Sequence, residues 1–217
     1  MWSDEMTAVE TPMFPLGAVL VPGAVMPLHV FEPRYRTMVK HCLLEQQEFG
    51  VVLIERGHEV GGGDDRLAVG CLARIDQFQE APDGRYGLVC VGTERIQVIE
   101  WLDDDPYPRA MTARLPDEGN PNTPEVDELA DQVSSVVREA LALADRLGLG
   151  GPDERIELSS DPATLGYQAL QLTPVGPFDA YRCLEAADLI DRLRMVHEVV
   201  SDAVELRRLQ VDPPRDA

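Results

Sequence analysis

Two arginines and two aromatic residues fall within the six positions Phe31-Glu32-Pro33-Arg34-Tyr35-Arg36. Guanidinium groups and aromatic rings dominate the contacts that carry binding energy between proteins. Phe31, Arg34, Tyr35 and Arg36 are therefore the candidate peptide- or ligand-binding residues. The purely structural role for the two arginines is ion pairing to Glu32 or to an acidic loop. The reading is one of recognition, and no reaction is implied.

Groups that could support catalysis or metal binding fit structural roles better. Lys40 is the sole lysine, so a Ser–Lys dyad must use it, and it falls on the first predicted helix, away from any serine-bearing loop. No G-x-S-x-G elbow occurs. Ser134-Ser135 lie inside a predicted helix and Ser159-Ser160 precede a cap. Cys71 and Cys90 fall in predicted strands, where a thiol behaves as a small apolar group. His41 and Cys42 are helical neighbours that point apart and do not share one ion. His29 and His58 fall near predicted strand ends and could approach each other, but a zinc site is not expected. His197 reads as a surface or partly buried helix residue. Gly61-Gly62-Gly63 is followed by Asp64-Asp65, whose carboxylates repel a phosphate, so this is a loop tip rather than a P-loop. Asp103-Asp104-Asp105 reads as a solvated turn. No catalytic residue, metal ligand or cofactor is expected.

The elements that must hold the candidate residues follow from punctuation and period. Pro27 ends a strand or marks an edge. Pro33 suits the first turn of a helix, where a missing N–H costs nothing, and Tyr35, Met38, Val39 and Cys42 recur at helical spacing. The segment before it, Met13 to Val30, reads as two extended pieces around turns at Leu16-Gly17 and Val21-Pro22-Gly23, with residues 1–11 frayed. Phe49 to Ile54 is an unbroken apolar run of strand length. Leu67 to Glu80 is a strand with Ala73, Ile75 and Gln77 on one face and Leu72, Arg74 and Asp76 on the other. Asp83-Gly84 is a strong hairpin turn. Tyr86–Val91 and Arg95–Trp101 follow as two strands parted by Gly92-Thr93. In the second, Ile96, Val98 and Glu100 oppose Gln97, Ile99 and Trp101. Tyr107 to Leu115 is the last strand. Short turns join most of these, which predicts a largely antiparallel sheet rolled into a barrel.

Residues 116–124 (PDEGNPNTP) form a boundary, and after them the apolar period becomes helical. Thr123-Pro124 and Asp161-Pro162 are cap-plus-proline helix starts. Val126, Leu129, Val133, Val136, Val137, Ala140, Leu141 and Ala144 make one apolar stripe, closed by Gly148-Leu149-Gly150-Gly151-Pro152. From Pro177 to about Leu209 the pattern is helical throughout, long enough to predict a break near Asp188. The domains expected are 11–116 and 123–209.

The formal net charge of −20, from 39 acidic and 19 basic residues, argues against a nucleic-acid partner, because phosphates require a basic face. Four cysteines without a CxxC pair suit free thiols in a reducing compartment. With no secretory pattern and no apolar run of about 20 residues, a cytoplasmic protein without a membrane partner is expected.

Phe14-Pro15-Leu16, Val21-Pro22-Gly23 and the run from Pro27 to Arg36 together resemble the opening of the Lon protease N-terminal (LON substrate-binding) domain family. The FEPRYR form is similar to that of stand-alone LON-domain proteins and of the LON portion of cereblon. Val69-Gly70-Cys71-Leu72-Ala73-Arg74-Ile75, Asp83-Gly84 and Val91-Gly92-Thr93-Glu94-Arg95-Ile96 resemble later strands of that family. Asp161-Pro162 and the closing helices resemble its helical part. The resemblance implies an α+β fold: a PUA-like, mostly antiparallel β pseudobarrel with one inserted helix, followed by a C-terminal helical bundle. It implies recognition of unfolded or extended protein segments, or of a protease or chaperone partner, as a non-catalytic module. The lysines of the family's ATPase and Ser–Lys peptidase modules have no counterpart here. The groove is expected between barrel and bundle, near Phe31, Arg34 and Tyr35. The alternative is a small-molecule sensor or an uncharacterised enzyme using that groove.

Overall fold

Proline and cap chemistry set the helix starts in the computed structural model, which describes residues 8–45, 47–56, 65–150 and 155–211. The order is β1 (Val9–Leu16), β2 (Val25–Val30), α1 (Pro33–Leu44), β3 (Glu48–Arg56), β4 (Asp65–Glu80), β5 (Tyr86–Trp101), β6 (Arg109–Arg114), α2 (Pro124–Arg146), α3 (Pro162–Leu172), α4 (Pro177–Glu185) and α5 (Leu189–Val211). This is an α+β fold that divides into two compact units, residues 1–116 and 117–217. His58 and Gly61 to Asp64 lie outside the described residues, as do Gly151 and Pro152.

The first unit is one six-stranded sheet in the order β2-β5-β4-β3-β1-β6, and β5 also pairs with β6, so five of the strands close into a ring. The sheet is mixed. β1 runs parallel to β3, from Met13 opposite Gly50 to Leu16 opposite Leu53, while the other pairings are antiparallel. Parallel neighbours need a long crossover, and the stretch holding β2 and α1 supplies it. Met13, Val52, Ile96, Val98 and Ala110 are packed together inside, with Leu72 and Trp101 against them.

Three sequence expectations change. Residues 9–11 are not frayed: Val9, Glu10 and Thr11 pair with β6, and the buried Thr11 and Thr112 hydroxyls share a hydrogen bond of 2.7 Å. The two strands expected on either side of Gly92-Thr93 are one strand, β5. Gly92 does not interrupt it; it admits a neighbouring segment. Its N–H donates to Ala24 O at 2.9 Å and its carbonyl accepts from Gly23 N–H at 2.8 Å, and a Cβ there would overlap the Val21 carbonyl oxygen. Trp101 also changes face. The β5–β6 register shifts between Val98 and Glu100, and such a bulge adds one residue to one strand and reverses the alternation beyond it. Trp101 then stands opposite the buried Ala110 and joins the core, while Ile99 is left exposed.

The second unit is helical. Thr123 Oγ1 accepts from Val126 N–H at 3.3 Å and Asp161 Oδ2 from Thr164 N–H at 2.9 Å, so both expected caps are formed. The break near Asp188 is present: Asp188 Oδ1 accepts from Ile190 N–H at 2.8 Å and from Asp191 N–H at 3.2 Å, which caps α5. Four residues later Arg192 is fully buried. Its Nη1 donates to Asp117 Oδ1 at 2.7 Å and to Ala186 O at 3.3 Å. Nη2 lies 2.7 Å from Asp117 Oδ2, and the guanidinium sits 4.7 Å from the centre of the Tyr167 ring. This clamp joins the start of the unit to the α4–α5 junction and to α3.

Removing one member of a buried ion pair costs about 3–5 kcal/mol, and the partly exposed Asp117 carboxylate brings the expected loss for Arg192→Leu to about 2–4 kcal/mol. A urea titration should show this fall, with part of it recovered in Arg192→Leu/Asp117→Asn. A midpoint equal to that of the parent chain would contradict the clamp.

Candidate functional site

The junction between β2 and α1 separates the four candidate residues by role. Glu32 is the extended N-cap of α1 and Pro33 its first residue. Tyr35 points inward: it is 3% exposed, and its ring centre lies 4.1 Å from that of Phe14. It anchors α1 to β1 and offers no face to a partner. Arg34 follows the structural reading, with Nε bonded to Glu32 Oε2 at 3.1 Å and its guanidinium 4.5 Å from the centre of the Tyr35 ring. Arg36 lies against the β4–β5 turn, where a Cβ on Gly84 would overlap its guanidinium. Gly84 is also held at φ +77°, a backbone state that favours glycine. Phe31 alone among the four is largely exposed, at 55%.

Phe31 stands at the rim of an open cleft of about 450 Å³ lined also by His29, Val30, Gln79, Ala81, Arg85, Tyr86 and Gly87. All of these belong to the first unit. The cross-strand register explains the grouping. His29, Gly87 and Gln79 form one row across β2, β5 and β4, and Val30, Tyr86 and Glu80 form the next. The Asp83-Gly84 hairpin brings Ala81 and Arg85 round the end. Gly87 leaves the centre of its row bare: a Cβ added there would meet no atom within 4 Å. Tyr86 is buried, and burial first, then the neighbouring Glu80 carboxylate, holds its phenol above its ordinary range. Asp83 fixes Arg85, accepting from its backbone N–H at 3.2 Å and from its Nε at 2.7 Å. These contacts, the backbone bond foremost, hold the Asp83 carboxyl below the usual range.

Of the residues lining the cleft, the sequence pattern marks Phe31 for recognition and His29 only as a zinc ligand. It passes over Gln79, Arg85 and Gly87. The available signal is a glycine inside a strand three residues past the Asp83-Gly84 turn, a position that marks close approach of a ligand or another backbone.

The other reactive groups stay apart from the cleft. Cys42, Cys71, Cys90 and Cys183 are free and buried. Burial pushes the first three thiols up to about 12 and Cys183 to about 11. His41 Nδ1 and the Tyr107 hydroxyl share a hydrogen bond of 2.9 Å, and Lys40 is exposed on α1. In the acidic turn, Asp104 pairs with Arg66 at 3.0 Å, and that guanidinium lies 4.6 Å from the centre of the Trp101 ring. Among the described residues no three of His, Cys, Asp and Glu are placed to hold a metal ion, and no helix is long and apolar enough to cross a membrane.

Comparison with known proteins places these features in a family context. The family described as "ATP-dependent protease La (LON) substrate-binding domain" matches residues 10–202. The chain is 28% identical over 200 residues to a Lon protease of Anaeromyxobacter dehalogenans, covering 91% of this chain and 24% of that protein. Lon protease 2 of Myxococcus xanthus gives the same identity and coverage. The chain thus spans about a quarter of the length of these relatives. The crystal structure of a Lon N-terminal domain protein from Xanthomonas campestris superposes with a TM-score of 0.63 at 28% identity, covering 87% of this chain and 96% of that one. The N-terminal domain of a Mycobacterium avium complex Lon protease shares the fold, with a TM-score of 0.68 at 17% identity over 89% of this chain and 99% of that one.

The thiols give a test of burial with a defined sign. Their folded values lie above the ordinary 9.0, so the folded state holds those protons longer than the unfolded chain. Their contribution is complete below pH 9 and is lost as pH rises from there, at up to about 1.4 kcal/mol per pH unit for each thiol. A stability profile should fall between pH 9 and 11, and a thiol reagent at pH 8 should label no cysteine until the chain is unfolded. Rapid labelling of the native chain would contradict the burial.

Proposed function

Because the chain belongs to the LON substrate-binding domain family, we propose that it is a non-catalytic recognition module for unfolded or extended protein segments. The cleft beside Phe31 is its contact point, and the module serves as an adaptor in protein quality control. In this reading the first unit is a PUA-like pseudobarrel subdomain over residues 11–116 and the second a helical-bundle subdomain over 123–209. The observation that carries the reading is a large aromatic side chain left 55% exposed on the rim of an open cleft. Burying a phenylalanine against a partner contributes about 1.5–3 kcal/mol. Tyr35 and Arg34 serve from beneath, holding the start of α1, while Arg36 braces the hairpin that carries the far wall.

A second reading, a small-molecule sensor, draws on the cleft volume of about 450 Å³, which lies within the span of ligand pockets, roughly 300–1,000 Å³. The mixed polar and apolar lining suits either occupant. The open shape and the family favour the protein segment.

Fluorescence anisotropy of a labelled, permanently unfolded polypeptide, titrated with this protein at low and high salt, separates the readings. Saturable binding that survives high salt is expected, because apolar contact is not screened. Phe31→Ala should weaken it about tenfold. Tyr35→Ala should weaken it only together with a loss of thermal stability. Absence of binding at both salt concentrations would overturn the protein-segment reading.

A further inference from the structure

The cleft departs from the rest of the molecule in charge. Acidic residues outnumber basic ones 39 to 19, yet among the described residues lining the cleft Arg85 is the one charged residue of fixed sign, and none of them is a carboxylate. Nearby carboxylates are engaged elsewhere: Asp83 binds Arg85 Nε at 2.7 Å, Glu32 binds Arg34 at 3.1 Å, and Glu80 lies beside the Tyr86 phenol. Asp83 fixes Arg85 through Nε and leaves its two terminal nitrogens without a hydrogen-bond partner among the described residues. His29 and the Gln79 amide face the same space. The cleft therefore joins an oriented guanidinium and further polar groups to an apolar rim at Phe31, with bare backbone at Gly87 between them.

We propose that this cleft captures the free C-terminal carboxylate of a polypeptide whose last residue is apolar. A carboxylate meets the paired terminal N–H groups of a guanidinium with matching geometry, and the last side chain lies over Gly87 against Phe31. Only a chain end presents the charge and an apolar side chain on the same residue. Strand addition is the competing mode, and it is disfavoured at this edge. β2 pairs with β5 alone, and Pro27 at its centre has no N–H to offer an incoming strand. Recognition is then by the end of the segment rather than along its length. The inference rests on the recognition reading above and names the group recognised.

The test uses the full chain and an N-terminally fluorescein-labelled hexapeptide ending in leucine, prepared with a free carboxylate and as the C-terminal amide. The acid should bind saturably, and the amide about tenfold more weakly. Arg85→Gln, a change at an exposed side chain, should reduce acid binding to the level of the amide. Gly87→Leu has open space for its side chain and should abolish binding of the acid while circular dichroism shows the fold retained. Equal binding of acid and amide, or an unchanged acid preference in Arg85→Gln, would overturn the inference. If neither hexapeptide binds while an unfolded polypeptide with an amidated end does, the chain-end inference fails and the recognition reading stands. If the unfolded polypeptide also fails to bind, both fall.

Discussion

The first unit depends on one strand serving three neighbours. β5 runs unbroken for 16 residues. Its first part lies between β2 and β4; in its second part Ile96 and Gln97 lie between β4 and β6, and the last residues pair with β6. A strand of that length twists too far to keep the same pair of neighbours from end to end. The register shifts in β4–β5 pairing after Cys71 and after Ile75, and in β5–β6 pairing after Val98, absorb the twist. Gly92 lies between the two parts, where the segment before β2 crosses close enough to exclude a Cβ. The cleft is a consequence of this division of labour. β2 joins only the first part of β5, and where that three-stranded edge meets the hairpin the sheet ends in an open rim.

Much of this was legible in the sequence because it was written in local chemistry. Pro33, Thr123-Pro124, Asp161-Pro162 and Asp188 each define a helix start by which groups they donate or withhold. Asp83-Gly84 defines the hairpin by its tolerance of positive φ. What was not legible depended on pairing between distant residues. The parallel β1–β3 contact, the bulge that turns Trp101 inward and the continuity of β5 through Gly92 are set by partners far along the chain. A glycine reads alike in sequence whether it ends a strand or lets another backbone pass.

The candidate site shows the same division. FEPRYR marks the junction of β2 and α1, but residue type could not sort its members. Tyr35 satisfied two patterns at once, the apolar helical stripe and the Arg–aromatic cluster, and burial against Phe14 decides for the first. Phe31 precedes the helix and belongs to no stripe, which is why it is left outside. Gln79, Arg85 and Gly87 join it only through cross-strand register. The carboxylates beside the cleft are each held by a neighbour, Asp83 by Arg85 and Glu32 by Arg34, and Glu80 lies beside the Tyr86 phenol.

The central claim is that the rim formed by β2, β5 and the β4–β5 hairpin is where a polypeptide is held. The most direct measurement is a set of backbone amide NMR spectra of the labelled chain, recorded while an unlabelled unfolded polypeptide is added. The account predicts saturable shifts concentrated at residues 29–31 and 79–87, with the helices of the second unit unchanged. Shifts confined to the polar groove of about 330 Å³ between α2 and α5, around Glu139 and His197, would contradict it.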